Sequence, residues 1–210
     1  MEPQINTGPV VFTKEMIIAA MDKWRTKIVN DVPYLIKCFK DKYYFPYTKQ
    51  VAEGSKYIHM YAGIHNTDIY FFAIPDVFDT VEHRHDFERY TQPCKLSVSA
   101  VGGGNEIDRA EAQARMDAWK DNYKTWLPKQ SKTDDGIFQL FEVDTIDFDS
   151  DETLANMALV AELGNPTGFV ADLIITNVAQ THALVFEDFS RPIPPMGPSA
   201  LVSNYYLLTL

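Results

Sequence analysis

The segment Val81-Glu-His83-Arg-His85-Asp86-Phe87-Glu88 is the densest grouping of metal-capable side chains in the sequence. On a β-strand, two imidazoles two positions apart project from the same face, and a neighbouring carboxylate adds an oxygen donor. His83, His85 and Asp86 are therefore the candidate ligands for a zinc or iron ion, and a metal held there would activate water for hydrolysis. A complete site needs one or two further ligands. Asp76, Asp79 and His182 are available, but no spacing selects among them. The competing reading is structural: His83, His85 and Phe87 line up with His182, Leu184 and Phe186 in a later segment, so that His85 stands where a core leucine stands elsewhere.

Other candidate chemistry is weaker. Gly102-Gly-Gly104-Asn-Glu-Ile-Asp108 could present backbone N–H groups to an anion at a helix start, but it has neither of the glycine spacings that cradle nucleotides. It reads instead as a linker. The acidic run Asp144, Asp147, Asp149, Asp151, Glu152 fails as a calcium loop: counted from Asp147, the sixth position is Glu152 where a glycine is required, and the twelfth is Ala158 where a bidentate glutamate is required. It reads as a solvated loop. Cys38 and Cys94 lie in no nucleophile signature, there is no Gly-x-Ser-x-Gly elbow, and two cysteines are too few for a disulfide framework. Free, buried thiols in a reducing, cytoplasmic setting are expected. Ser190-Arg-Pro-Ile-Pro-Pro-Met-Gly-Pro198 is too short for an interdomain linker and reads as an ordered connection.

These residues must be positioned by a chain of 210 residues with 46% hydrophobic and 13% aromatic content, enough for a substantial core. The formal charge of −10, from 29 acidic and 19 basic residues without a dense basic cluster, argues against nucleic acid and anionic membrane surfaces as partners. The first residues carry no basic segment followed by an apolar run, so no secretory signal is expected, and no apolar stretch is long enough to span a bilayer.

The most informative pattern is internal. Met21-Asp22-Lys-Trp24-Arg25 recurs 95 residues on as Met116-Asp117-Ala-Trp119-Lys120. Each copy sits in a segment of helical apolar spacing, Ile17, Met21, Trp24, Ile28 and Ala112, Met116, Trp119, Tyr123, Trp126, preceded by a capping residue, Thr13 or Asp108. Each helix is expected to end at a proline signal, Asn30-Asp-Val-Pro33 and Leu127-Pro128. A second match sets Phe87-Glu-Arg-Tyr-Thr91-Gln-Pro93 against Phe186-Glu-Asp-Phe-Ser190-Arg-Pro192, and the segments from Ala62 and Ala161 both read as strand, turn, strand.

The expected fold is α+β: two diverged copies of a helix-plus-antiparallel-sheet unit, residues 10–103 and 104–210, packed together or merged in one globular domain. In each copy a helix is followed by an extended segment (43–45 or 137–143), a hairpin and a closing strand (95–101 or 200–210). Trp24 and Trp119 are core anchors in this scheme.

No convergent set of nucleophile, base and orienting group can be assembled from these residues. The functional expectation is thus a binding or assembly module for a protein or a small ligand, with metal-dependent hydrolysis through His83 and His85 as the alternative. An apolar C-terminal strand at a sheet edge would also let two chains pair as a homodimer.

Overall fold

The computed structural model describes residues 10–50, 52–97, 109–178, 184–187, 190–194 and 204–210. It is an α+β protein with two antiparallel sheets. The first helix, α1 (Lys14–Asn30), starts where Thr13 accepts a hydrogen bond from the Met16 N–H, and it buries Ile17, Ala20, Met21, Trp24 and Ile28. Asp31 ends α1 and at once caps a second helix, α2 (Val32–Phe39), accepting from the Tyr34 N–H. Pro33 is therefore not only a stop signal. Its fixed φ and missing N–H suit the first turn of α2, where that N–H would have no partner.

The strands β1 (Tyr44–Thr48), β2 (Tyr57–His65), β3 (Asp68–Pro75) and β4 (Gln92–Lys95) follow, then the long helix α3 (Arg109–Gln130). This helix runs through Pro128 rather than stopping before it. The proline sits in the last turn, where it forgoes one bond, to the Lys124 carbonyl, and buried Leu127 and Gln130 hold that turn in place. The remaining strands are β5 (Leu140–Asp144), β6 (Glu152–Ala161), β7 (Phe169–Val178), β8 (Leu184–Glu187) and β9 (Ser190–Ile193).

Sheet order is β1-β6-β7-β8 in one sheet and β4-β3-β2-β5-β9 in the other. Each sheet thus mixes strands from before and after α3. Tyr57 of β2 stands opposite Asp144 of β5, and Glu152 of β6 stands opposite Thr48 of β1.

One shared core lies between the sheets. Ile58, Met60, Ala62 and Ile64 alternate into it from β2, Phe71 from β3, Phe141 and Val143 from β5, Phe45 and Tyr47 from β1, and Met157, Leu159, Leu173 and Ile175 from β6 and β7. Phe45 stacks on Phe71 with ring centroids 4.5 Å apart, joining the sheets. Phe39 of α2 lies edge-on to both repeated tryptophans, 6.0 Å from Trp24 and 5.1 Å from Trp119, so both are core anchors as expected.

On the outer face of the five-stranded sheet, α1 covers Tyr61, Tyr70, Phe72 and Ile74. It approaches so closely at Gly63 that a Cβ there would lie 2.6 Å from a Phe72 ring carbon and 3.2 Å from the Ala20 backbone. Only glycine fits this crossing. The four-stranded sheet receives α3 through Ala112 and Met116 against Ala158 and Ile174.

Several expectations change. Residues 206–209 form a 3-10 turn, not a closing strand. Leu207 and Leu208 are both buried, which a half-covered strand does not allow for neighbours, and the Leu207 N–H is taken by Asp79 Oδ1 at 3.0 Å. The edge-strand argument for a homodimer therefore does not apply to this segment. Asp147, placed in a solvated loop by its acidic neighbours, is 1% exposed. The second sequence match joins unlike structures, since Phe87–Arg89 is a 3-10 turn and Leu184–Glu187 a strand. The glycine run 102–104, Asp108, His182, the proline run 195–198 and the 103/104 junction lie outside the described residues.

Candidate functional site

His83 and His85 do not lie on a strand. Val81–His83 is a 3-10 turn, continued by N–H···O bonds from Arg84 to Val81 and from Asp86 to His83, so side chains two apart do not share a face. His83 packs edge-on against Phe78 and Tyr90, with its Nδ1 3.3 Å from Asp86 Oδ1. His85 is exposed rather than in the place of a core leucine, and its Nε2 accepts from Arg84 Nε at 2.9 Å. Among the described residues no three His, Cys, Asp or Glu side chains converge as a metal site. Cys38 and Cys94 are free and buried, and burial pushes both thiols up, away from the reactive thiolate.

The polar centre of the protein lies elsewhere, on the outer face of the five-stranded sheet beyond the part covered by α1. Alternation along β2 turns His59 and Tyr61 outward while Ile58, Met60 and Ala62 face the core. The ladders place Glu142 of β5 opposite His59, and Arg191 of β9 opposite Glu142. The result is a row of imidazole, carboxylate and guanidinium across three strands. His59 Nε2 is 3.6 Å from Glu142 Oε2, and Arg191 Nη2 is 2.8 Å from Glu142 Oε1.

Two flanking segments complete the row. The turn after β3 delivers Asp79, whose Oδ2 lies 2.7 Å from His59 Nδ1 and accepts from the Tyr61 hydroxyl, while its Oδ1 accepts from the Leu207 N–H. The C-terminal turn delivers Tyr205, which donates to Glu142 Oε2 at 2.9 Å and receives Arg191 Nη2 at 2.8 Å. The Tyr205 ring packs 4.9 Å from the imidazole.

The electrostatics follow from burial and pairing. His59 is 2% exposed. Burial alone would lower its pKa, but hydrogen bonds and charge from Asp79 and Glu142 outweigh it, and the pKa is raised to about 9. Glu142 is partly desolvated, yet its bonds to His59 and Tyr205 and the charge of Arg191 hold it below the ordinary carboxylate range. Burial, then the Glu142 bond, pushes Tyr205 up to about 12, and Tyr61 rises through burial and the Asp79 charge. Facing a carboxylate at each ring nitrogen, the imidazole is favoured in its protonated form. With both ring nitrogens directed at carboxylates, His59 is a fixed cation rather than a general base.

This row floors a cleft of about 400 Å³ lined by Tyr57, His59, Asp76, Asp79, Thr80, Glu142, Arg191 and Asn204. Asp76 is held at one end, its Oδ1 receiving the Ser55 hydroxyl at 2.5 Å and the backbone N–H groups of Lys56 and Val77. Asp76 and Asp79 were singled out in the sequence as spare ligands. Their neighbours here, His59, Glu142, Arg191 and Tyr205, were not. The available signal was the alternation of Tyr57, His59, Tyr61 and His65 with apolar residues along β2, but only the pairing register sets Glu142 beside His59.

Comparison with protein-family models, curated proteins and solved structures finds no match to this chain. Among the described residues no helix is long and apolar enough to cross a membrane.

Proposed function

We propose that this protein is a binding module made of two diverged copies of one unit, and that the cleft over His59, Glu142 and Arg191 is its small-ligand site. The observation that carries this reading is the polar row itself, a charged network kept on a sheet face that is otherwise apolar and covered. A buried charge network is a costly way to hold strands together, since hydrophobic residues of similar volume commonly serve as well.

The copies help to separate fold from function. The repeated Met-Asp-x-Trp motif, helices that each pack on a hairpin, and the matched pairings of β2 with β5 and of β6 with β1 all support duplication, in which each unit lends its first strand to the other. With the Tyr57–Asp144 pair laid on the Glu152–Thr48 pair, a register four residues from the one that sets Ala62 against Ala161, the place of His59 is taken by Leu154 and that of Glu142 by Pro46, which face each other in the β1–β6 ladder. One copy builds the same ladder without the polar pair. Strand pairing of this kind therefore does not itself require the polar pair.

Binding is favoured over catalysis because both ring nitrogens of His59 face carboxylates and both thiols are buried. The alternative of metal-dependent hydrolysis through His83, His85 and Asp86 has the His83–Asp86 contact in its favour, while His85 is turned to Arg84. A thermal-shift screen of a mixed metabolite panel tests the reading. At least one compound should stabilise the wild type and lose its effect in Arg191→Gln, whose side chain is 63% exposed and whose loss should spare the fold. A panel in which every stabilising compound acts equally on both proteins would count against the cleft.

A further inference from the structure

Resting on the reading of the cleft as a small-ligand site, we infer that its ligand is a zwitterion of the amino-acid or short-peptide type, with its carboxylate on Arg191 and its ammonium on Asp76. The cleft holds unused hydrogen-bonding capacity at its two ends. Asp79 and Glu142 are turned into the protein: the Asp79 side chain is fully buried and serves His59, Tyr61 and the Leu207 N–H, and Glu142, 12% exposed, serves Arg191 and Tyr205 and faces His59. Both are committed to the protein's own donors.

Arg191 differs. Both of its contacts, to Glu142 and to Tyr205, are made by Nη2. A guanidinium carries five N–H donors in a planar fork, so Nη1 and Nε remain open among the described residues and present the geometry that binds a carboxylate. Glu142 and Tyr205 hold the guanidinium in place from behind, which lowers the entropy lost on binding.

At the other end, Asp76 uses Oδ1 for Ser55, Lys56 and Val77, and its Oδ2 has only the long contact to the Lys56 N–H at 3.4 Å. That oxygen is an anchored acceptor with capacity to spare. Asp76 follows the last residue of β3 and Arg191 lies in β9, with β2 and β5 between them. At roughly 4.8 Å per strand, their backbones stand on the order of 14 Å apart. The side chains reach inward over a cleft of about 400 Å³, towards the small end of ligand pockets in general.

Charge points the same way. Asp76, Asp79 and Glu142 against His59 and Arg191 leave one excess negative charge in the lining. A simple anion would meet Arg191 against that excess, and a simple cation would leave the guanidinium unanswered. A ligand carrying both charges answers each end.

The experiment is isothermal titration calorimetry of the full chain with four probes: alanylalanine, its N-acetyl form, its C-terminal amide and maltose. Alanylalanine should bind, and blocking either terminus should weaken binding at least tenfold. Arg191→Gln should weaken the free dipeptide but not the amide, and Asp76→Asn should weaken the free dipeptide but not the acetylated form. Blocked forms that bind as well as the free dipeptide overturn the inference, as does a panel in which no probe binds. If maltose alone binds and Arg191→Gln removes it, the zwitterion fails and the cleft stands. If a probe binds with no effect of either substitution, the cleft itself is refuted.

Discussion

His59 Nε2 faces Glu142 Oε2 at 3.6 Å across the β2–β5 ladder, while His59 Nδ1 lies 2.7 Å from Asp79 Oδ2. A single buried imidazolium therefore joins a strand, a neighbouring strand and the turn after β3. Because Asp79 also takes the Leu207 N–H and Glu142 takes the Tyr205 hydroxyl, the same cation fixes the C-terminal turn that walls the cleft. Site and fold are coupled through one proton.

That proton sets the pH dependence of stability. The pKa of His59 is raised from 6.5 to about 9 in the folded protein, so its contribution is complete below the unfolded value and is lost as pH rises through about 9. Glu142 is lowered, so its contribution is present above its unfolded value and fades as pH falls through the folded one. Chemical denaturation should find greatest stability near pH 5 to 6.5 and a decline on the order of 3 kcal/mol by pH 9 to 10. In His59→Leu, Asp79 and Glu142 lose their shared cation. A loss of about 3 to 5 kcal/mol is expected at pH 6, with the alkaline decline abolished.

Gly63 should be intolerant of a single methyl group. A Cβ placed 2.6 Å from the Phe72 ring and 3.2 Å from the Ala20 backbone requires α1 to lift from β2, because Phe72 is itself fully buried. Gly63→Ala should cost about 1 to 3 kcal/mol, read as a lower denaturant midpoint with an unchanged slope.

The repeated tryptophans should respond differently to the same change. Trp24 Nε1 donates to the Phe138 carbonyl at 2.9 Å, whereas Trp119 Nε1 is buried with no hydrogen-bond partner among the described residues. Trp24→Phe leaves a buried carbonyl unsatisfied and Trp119→Phe removes an unsatisfied donor. The first should be the more destabilising by about 1 to 3 kcal/mol in parallel denaturation curves.

Much of the fold was legible in the sequence, because helical apolar spacing and strand alternation are local signals. The cores of α1 and α3, the extended segments that became β1 and β5, and both hairpins follow from residues near one another in the chain. What local patterns do not carry is pairing. Nothing in Leu140–Asp144 announces that it joins β2, so neither Glu142 nor His59 stands out in the sequence. The His83 and His85 pair drew attention because its spacing is visible, but that spacing has meaning only on a strand, and the backbone there turns. The C-terminal run misled in a related way: its apolar character was real, and the buried acceptor at Asp79 that claims the Leu207 N–H lies 128 positions away.

The most direct test of the cleft is native mass spectrometry of the wild type and Arg191→Gln after equilibration with a metabolite extract and desalting. A stoichiometric small-molecule adduct on the wild type that is absent from Arg191→Gln is the predicted result. Bare polypeptide in both spectra, or the same adduct on both, would contradict a ligand site over His59, Glu142 and Arg191.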